Sequence, residues 1–293
     1  MSRIMSFALA LLFSIFVPQI SSAAEMKPGP LVLTRINETF YQATAALVAE
    51  VLAGMGHSVK VVDGSHTSAY KAVKDGTADL CVGFWLPTGH EKAWSQVKDS
   101  VVELSTIYEG ARFYWAVPGY IPESEVSSIE DLTKPSVSAK MIKTIRGLSL
   151  DASITTESIN AIGAYDLENA GYHVIPGEFQ PWKEALNGAI KNEAWIVEPL
   201  WEPYYFNRIY SLRPLKDPKN VFKGRNRVIL AVHNGVREKL PKKTIDALNR
   251  MRVRLEDITD MDVDINVNSV TPEVAARNWI NNHPDQFKEW LGN

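Results

Sequence analysis

Eight aromatic positions carry the most distinctive chemistry in this chain: Trp85, Trp94, Trp115, Trp182, Trp195, Trp201, Tyr204 and Tyr205. The face of an indole or phenol ring attracts cations, with about 0.5 to 2 kcal/mol per contact, including a cation whose charge is spread over methyl groups and that donates no hydrogen bond. Two of these residues share a local plan. In Leu80-Cys81-Val82-Gly83-Phe84-Trp85-Leu86-Pro87 an apolar run delivers a Trp and a Pro to its carboxyl end, and Ala194 to Trp201 repeats the arrangement with Pro199. Ligands of open α/β sheets sit just beyond such strand ends. Trp85 and Trp201 are therefore expected to meet a ligand, whereas Trp94 and Trp195 read as core.

Familiar reactive constellations do not accompany them. The six histidines are dispersed, and the sequence has no H-E-x-x-H, P-loop, G-x-G-x-x-G or G-x-S-x-G pattern. Cys81 is the sole cysteine, which excludes an intramolecular disulfide and a cysteine-based metal cluster; inside an apolar run it reads as an inert core thiol. A formal charge of −3 and the lack of a basic block give no attraction for nucleic acid. No cofactor and no metal are expected. One alternative remains from the residues alone, a secreted enzyme using carboxylates such as Glu38, Glu198 or Glu202.

The elements that must position these residues follow from periodicity. With 45% apolar and 22% charged residues over 293 positions, the chain has the makings of a large core. Residues 1–24 read as a cleavable signal peptide: Arg3, an apolar stretch from Ile4 to Val17, then Ser21-Ser22-Ala23-Ala24. A soluble periplasmic protein is expected. After it, Leu31–Leu33, Val59–Val62 and Leu80–Phe84 read as strands separated by helices. That order implies a parallel sheet with its loops after the first and third strands on one crevice, so Glu38 and Trp85 are expected as neighbours. A second α/β set runs from a helix near Thr156 to Trp201, and helical sequence returns from Thr244. The expected fold is α/β and two-lobed: 25–112 and 233–293 in lobe I, 113–232 in lobe II, with crossing strands near Phe113–Val117 and Val228–Val232.

Several segments together resemble the OpuAC-type substrate-binding proteins of ABC importers for glycine betaine, choline and carnitine. They are Phe84-Trp85-Leu86-Pro87-Thr88-Gly89-His90, similar to A-W-L-P-x-x-H; Tyr108-Glu109-Gly110-Ala111; Leu200-Trp201-Glu202-Pro203-Tyr204, similar to W-x-P-H; and Leu212 to Phe222, similar to L-x-x-L-x-D-P-K-x-x-F. The resemblance implies a type II periplasmic binding protein fold, no enzymatic activity, a small cationic or zwitterionic solute as ligand and an inner-membrane ABC permease as partner to a monomer. It implies an aromatic cage with Trp85 and Trp201 as walls and Tyr114, or else Phe113, as a further wall. The loop Asp151 to Thr155, with Ser153 and Ile154, would meet the ligand's polar end, and His90, Asn37, Tyr204 and Glu198 complete the expected site. Two departures from the pattern stand out. Glu38 takes the place of a frequent cage Trp, and Tyr204 that of the His. Glu38 either meets a ligand cation, favouring one that is compact or hydrogen-bonding, or caps its helix.

Overall fold

The computed structural model describes residues 29–237 and 240–292; the expected signal segment lies outside them. Among the described residues nine strands are formed: β1 Leu31–Ile36, β2 Val59–Gly64, β3 Leu80–Leu86, β4 Val101–Pro118, β5 Thr144–Arg146, β6 His173–Ile175, β7 Glu198–Glu202, β8 Leu212–Pro214 and β9 Asn226–His233. The helices are α1 Thr39–Gly54, α2 His66–Lys74, α3 Glu91–Val97, α4 Pro135–Ser138, α5 Ser153–Ala164, α6 Phe179–Lys191, α7 Phe206–Ile209, α8 Asn234–Arg237, α9 Lys242–Arg250, α10 Leu255–Asn266, α11 Pro272–Asn282 and α12 Pro284–Leu291.

The apolar runs behave as their composition demands. β3 is buried at every residue, and β1 pairs in parallel with both β2 and β3. α1 presses Leu47, Val48, Val51 and Leu52 into the core with none of their surface left exposed, each contributing about 1.5 to 3 kcal/mol of burial. It ends where Gly56 takes a positive φ of 88°. Pro272 occupies the first turn of α11 behind Thr271, whose hydroxyl accepts the Val274 N–H.

β4 is the spine of the molecule. Its first part, Val101 to Ala111, pairs antiparallel with β9; from Arg112 it pairs with β7, and at Ala116 to Pro118 with β8. The strand thus leaves one sheet, ordered β2-β1-β3-β9-β4, and enters another. The crossing falls at Ala111 and Arg112, just ahead of the expected Phe113–Val117. Val228–Val232 does not cross at all. It lies inside the first sheet, bonded to β3 on one side and to β4 on the other, because an unbroken apolar run is as suited to the centre of a sheet as to a hinge. The second strand set differs similarly. Trp201 lies within β7, and the run Ala194 to Val197 that leads to it contributes only a bridge from Trp195 to Met141.

Candidate functional site

A small cavity of about 30 Å³ lies where the loops after β1, β2 and β3 face α5 and β7. Glu38, Phe40 and Tyr41 enter it from the start of α1, His66 from the start of α2, Trp85 and His90 from the end of β3 and the loop after it. Phe113 comes from β4, Ser153 and Ile154 from the first turn of α5, and Trp201 from β7. Trp85 and Trp201, 116 positions apart in the chain, wall the same space from the two sheets.

Local structure explains why these side chains face inward. A bulge at Gly83 shifts the register of β3 against β9 between Val82 and Phe84, which turns every later side chain to the opposite face. Gly83 has a φ of 136°, and a Cβ there would stand 2.7 Å from Ile36 and 3.2 Å from Tyr41; only glycine fits. Trp85 then stacks on Phe113, ring centroids 4.9 Å apart at 18°. On the other wall Trp201 stacks on Trp182 at 5.4 Å, and Trp182 on Phe206 at 5.5 Å, so the ring is braced from behind. The peptide bonds Leu86-Pro87 and Glu202-Pro203, which follow the two tryptophans, are both cis.

The polar groups are as ordered. His90 is buried; its Nδ1 receives the Trp85 N–H at 3.0 Å and lies 3.0 Å from the Tyr70 hydroxyl. The Gly83 carbonyl also stands 3.0 Å from Nδ1, and burial holds the His90 pKa well below the ordinary histidine value, so the ring is neutral. Glu38 precedes α1 in the N-cap position but makes no capping hydrogen bond. Its carboxylate stands 3.8 Å from His66 Nδ1. Burial pushes the Glu38 pKa up, and His66 pulls it partly back. Across the cavity, Ser153 and Ile154 are the first residues of α5, whose N–H groups have no intrahelical acceptor and whose helix dipole favours an anion. At the mouth, the Thr67 hydroxyl of α2 donates to Asp151 Oδ2 at 3.0 Å, a direct bond between the two walls.

Residues 29–282 match the OpuAC family model, the substrate binding domain of ABC-type glycine betaine transport systems. The chain belongs to the OpuAC family. Over 147 residues it is 29% identical to the glycine betaine/carnitine transport binding protein GbuC of Listeria monocytogenes, a match covering 50% of this chain and 48% of that protein. The chain therefore aligns with only about half of that relative's length. The lactococcal OpuAC, crystallised in a closed-liganded conformation with glycine betaine, superposes with a TM-score of 0.78 at 28% identity, over 89% of this chain and 99% of that one. A choline binding protein in complex with choline shares the fold, with a TM-score of 0.77 at 20% identity over 90% and 92% of the two chains. The fold of this OpuAC chain is accordingly the two-lobed type II periplasmic binding protein fold.

Within this OpuAC chain, the expected residues Trp85, Trp201, Glu38, His90, Ser153 and Ile154 converge on one cavity, and four others stand apart. Tyr114 points to the opposite face of β4 from Phe113, as strand alternation requires. Its hydroxyl donates to Asn207 at 2.6 Å, and the Arg112 guanidinium lies over its ring. Glu198 is fully buried at the far end of β7, where its Oε2 accepts the Arg146 N–H at 3.2 Å. Asn37 and Tyr204 line the adjoining outer cleft instead, Tyr204 packing against Trp201 at 4.5 Å. Phe40, Tyr41 and His66 were not anticipated. The signal for His66 was available, since it directly follows the loop after β2, which the parallel order sends to the same crevice as those after β1 and β3.

Buried carboxylates also set the pH response of this OpuAC chain. Asp262 of α10 accepts the Tyr205 N–H at 2.7 Å and the Thr39 hydroxyl, yet burial raises its pKa to about 7. Burial likewise lifts Glu157 to about 7. Raised carboxylates hold protons in the folded state that the unfolded chain has released, so their contribution is complete below the ordinary carboxylate range and lost as pH rises through 7. His90 acts in the opposite sense, but only below its ordinary value of 6.5. Tm is expected to rise by roughly 2 to 4 °C as pH is lowered from 8 to 6.5, on the order of 1 kcal/mol per group. Thermal unfolding should show the slope flattened in Asp262→Asn; a wild-type Tm that falls over this interval contradicts the assignment.

Proposed function

We propose that this chain is the exported solute receptor of an ABC importer, closing its lobes on a small cationic or zwitterionic solute of the glycine betaine, choline and carnitine class. The supporting observation is that Trp85 and Trp201, from different sheets, wall one cavity that also holds Glu38 and the amino end of α5. The cation lies against the indoles, each contact contributing about 0.5 to 2 kcal/mol, and a carboxylate, where the solute has one, meets the Ser153 and Ile154 N–H groups. A ligand that touches both walls favours the closed arrangement over the open one. The receptor works as a monomer, presents its solute to an inner-membrane permease and carries a leader, residues 1–24, that is removed on export.

Catalysis is not part of this reading. Of the carboxylates Glu38, Glu198 and Glu202 only Glu38 lines the cavity, and Glu202 is engaged by Arg112 at 2.9 and 3.0 Å, which leaves no pair for acid and base roles. Glu38 favours a second reading within the same role, a solute whose charged nitrogen keeps an N–H that a carboxylate can accept. Titration calorimetry against glycine betaine, choline, carnitine, their incompletely methylated counterparts and basic amino acids tests both. Binding of at least one member is expected, and silence across the panel overturns the reading.

A further inference from the structure

A second carboxylate beside the cage is not used by the site described so far. Glu157 lies one turn along α5 from Ser153 and on the same helix face, about 6 Å further along the axis. It is only 6% exposed, and its Oε2 is shut off from solvent with no hydrogen-bond partner among the described residues. Lys223 acts on it through space, without forming an ion pair. Burying a carboxylate without a donor costs stability, so the fold alone gives no reason for an acid here. Glu157 lines a cleft together with Asn160, Lys223, His66, His90 and Ser153. The last three also wall the cage, so the two spaces adjoin at these residues.

We propose that Glu157 is the acceptor of a second subsite, which takes a hydroxyl or ammonium donor at the far end of a solute whose cationic head lies against Trp85 and Trp201. The inference rests on the receptor reading and extends it to the length and polarity of the solute. On this reading a short solute takes the cage alone, and a longer one passes between His90 and Ser153 and ends at Glu157.

The test uses the mature protein and three series of trimethylammonium compounds with two to six methylenes, ending in a hydroxyl, an amine or a methyl group. In wild-type protein the hydroxyl or the amine compound is expected to bind about 10-fold or more tighter than the methyl compound of equal length, at the longer chain lengths only. The two donor series show which group is preferred. In Glu157→Leu that ratio falls to about one, with Tm unchanged or raised because an unpaired buried carboxylate has gone. Should the leucine variant not fold, Glu157→Gln serves, with the amine advantage lost and the hydroxyl advantage reduced severalfold. No donor advantage at any length, an advantage that persists in the variants, or a lowered Tm in a folded Glu157→Leu overturns the subsite. Failure of every trimethylammonium compound to bind wild-type protein instead overturns the receptor reading itself.

Discussion

Truncating Trp201 to alanine is expected to weaken binding of glycine betaine or choline by roughly 10- to 100-fold, the range seen when an anchoring aromatic is removed from a desolvated contact. The physical reason is the ring's bracing. Trp182 and Phe206 stack behind it in sequence, so its free face is fixed before the solute arrives and little ordering is needed on binding. Trp85→Ala is expected to lose a similar factor, since Phe113 covers one face of that indole and leaves the other side toward the cavity. Alanine also removes about 3 to 5 kcal/mol of packing at a buried tryptophan, so each position needs a gentler companion. Trp201→Phe keeps a π face with a weaker pull on cations, and should fall between wild type and alanine while folding normally. Calorimetry gives the affinities and thermal unfolding the stabilities. Retention of affinity within twofold in both alanine variants would remove the cage from the mechanism.

The cage was legible in the sequence to the extent that it depends on strand ends. β3 announces itself by an apolar run too short for a helix, and Pro87 marks its close, so the place of Trp85 followed from local rules. Glu38 was within reach as well, because parallel crossovers fix which ends of the strands share a crevice. What could not be read was facing. Phe113 and Tyr114 are adjacent aromatics on one strand, and which of them looks into the cavity depends on register, set by the hydrogen bonds of β4 with β7. The bulge at Gly83 is of the same kind: a one-residue shift with no sequence marker beyond a glycine in a strand. Glu198 shows the converse error. Proximity to Trp201 along the chain suggested a shared site, but three steps along a strand cover roughly 10 Å and reverse the face. The crossing was misplaced in β9 because hydropathy does not distinguish a central strand from a hinge.

Replacing Glu38 with glutamine is expected to weaken binding of a cationic solute by about 10-fold or more, with the larger loss for solutes that keep an N–H on the charged nitrogen. The capping role, which would make Glu38 indifferent to ligand, is not the one it plays, since its side chain makes no hydrogen bond to the first turn of α1. Instead the carboxylate lies in the cavity wall, its pKa raised by burial. A cation placed against it restores the ionised form, so binding is coupled to loss of a proton. The sign follows: wild-type affinity for a fixed cation should increase as pH rises through the elevated Glu38 pKa, and that slope should vanish in Glu38→Gln. Fold stability should move the other way from affinity. Removing a desolvated carboxylate leaves Tm equal or higher at neutral pH, whereas a residue that merely supported α1 would lower it. Affinity unchanged by Glu38→Gln across the pH range, with quaternary and N–H-bearing solutes bound alike, would mean that the indoles alone read the charge.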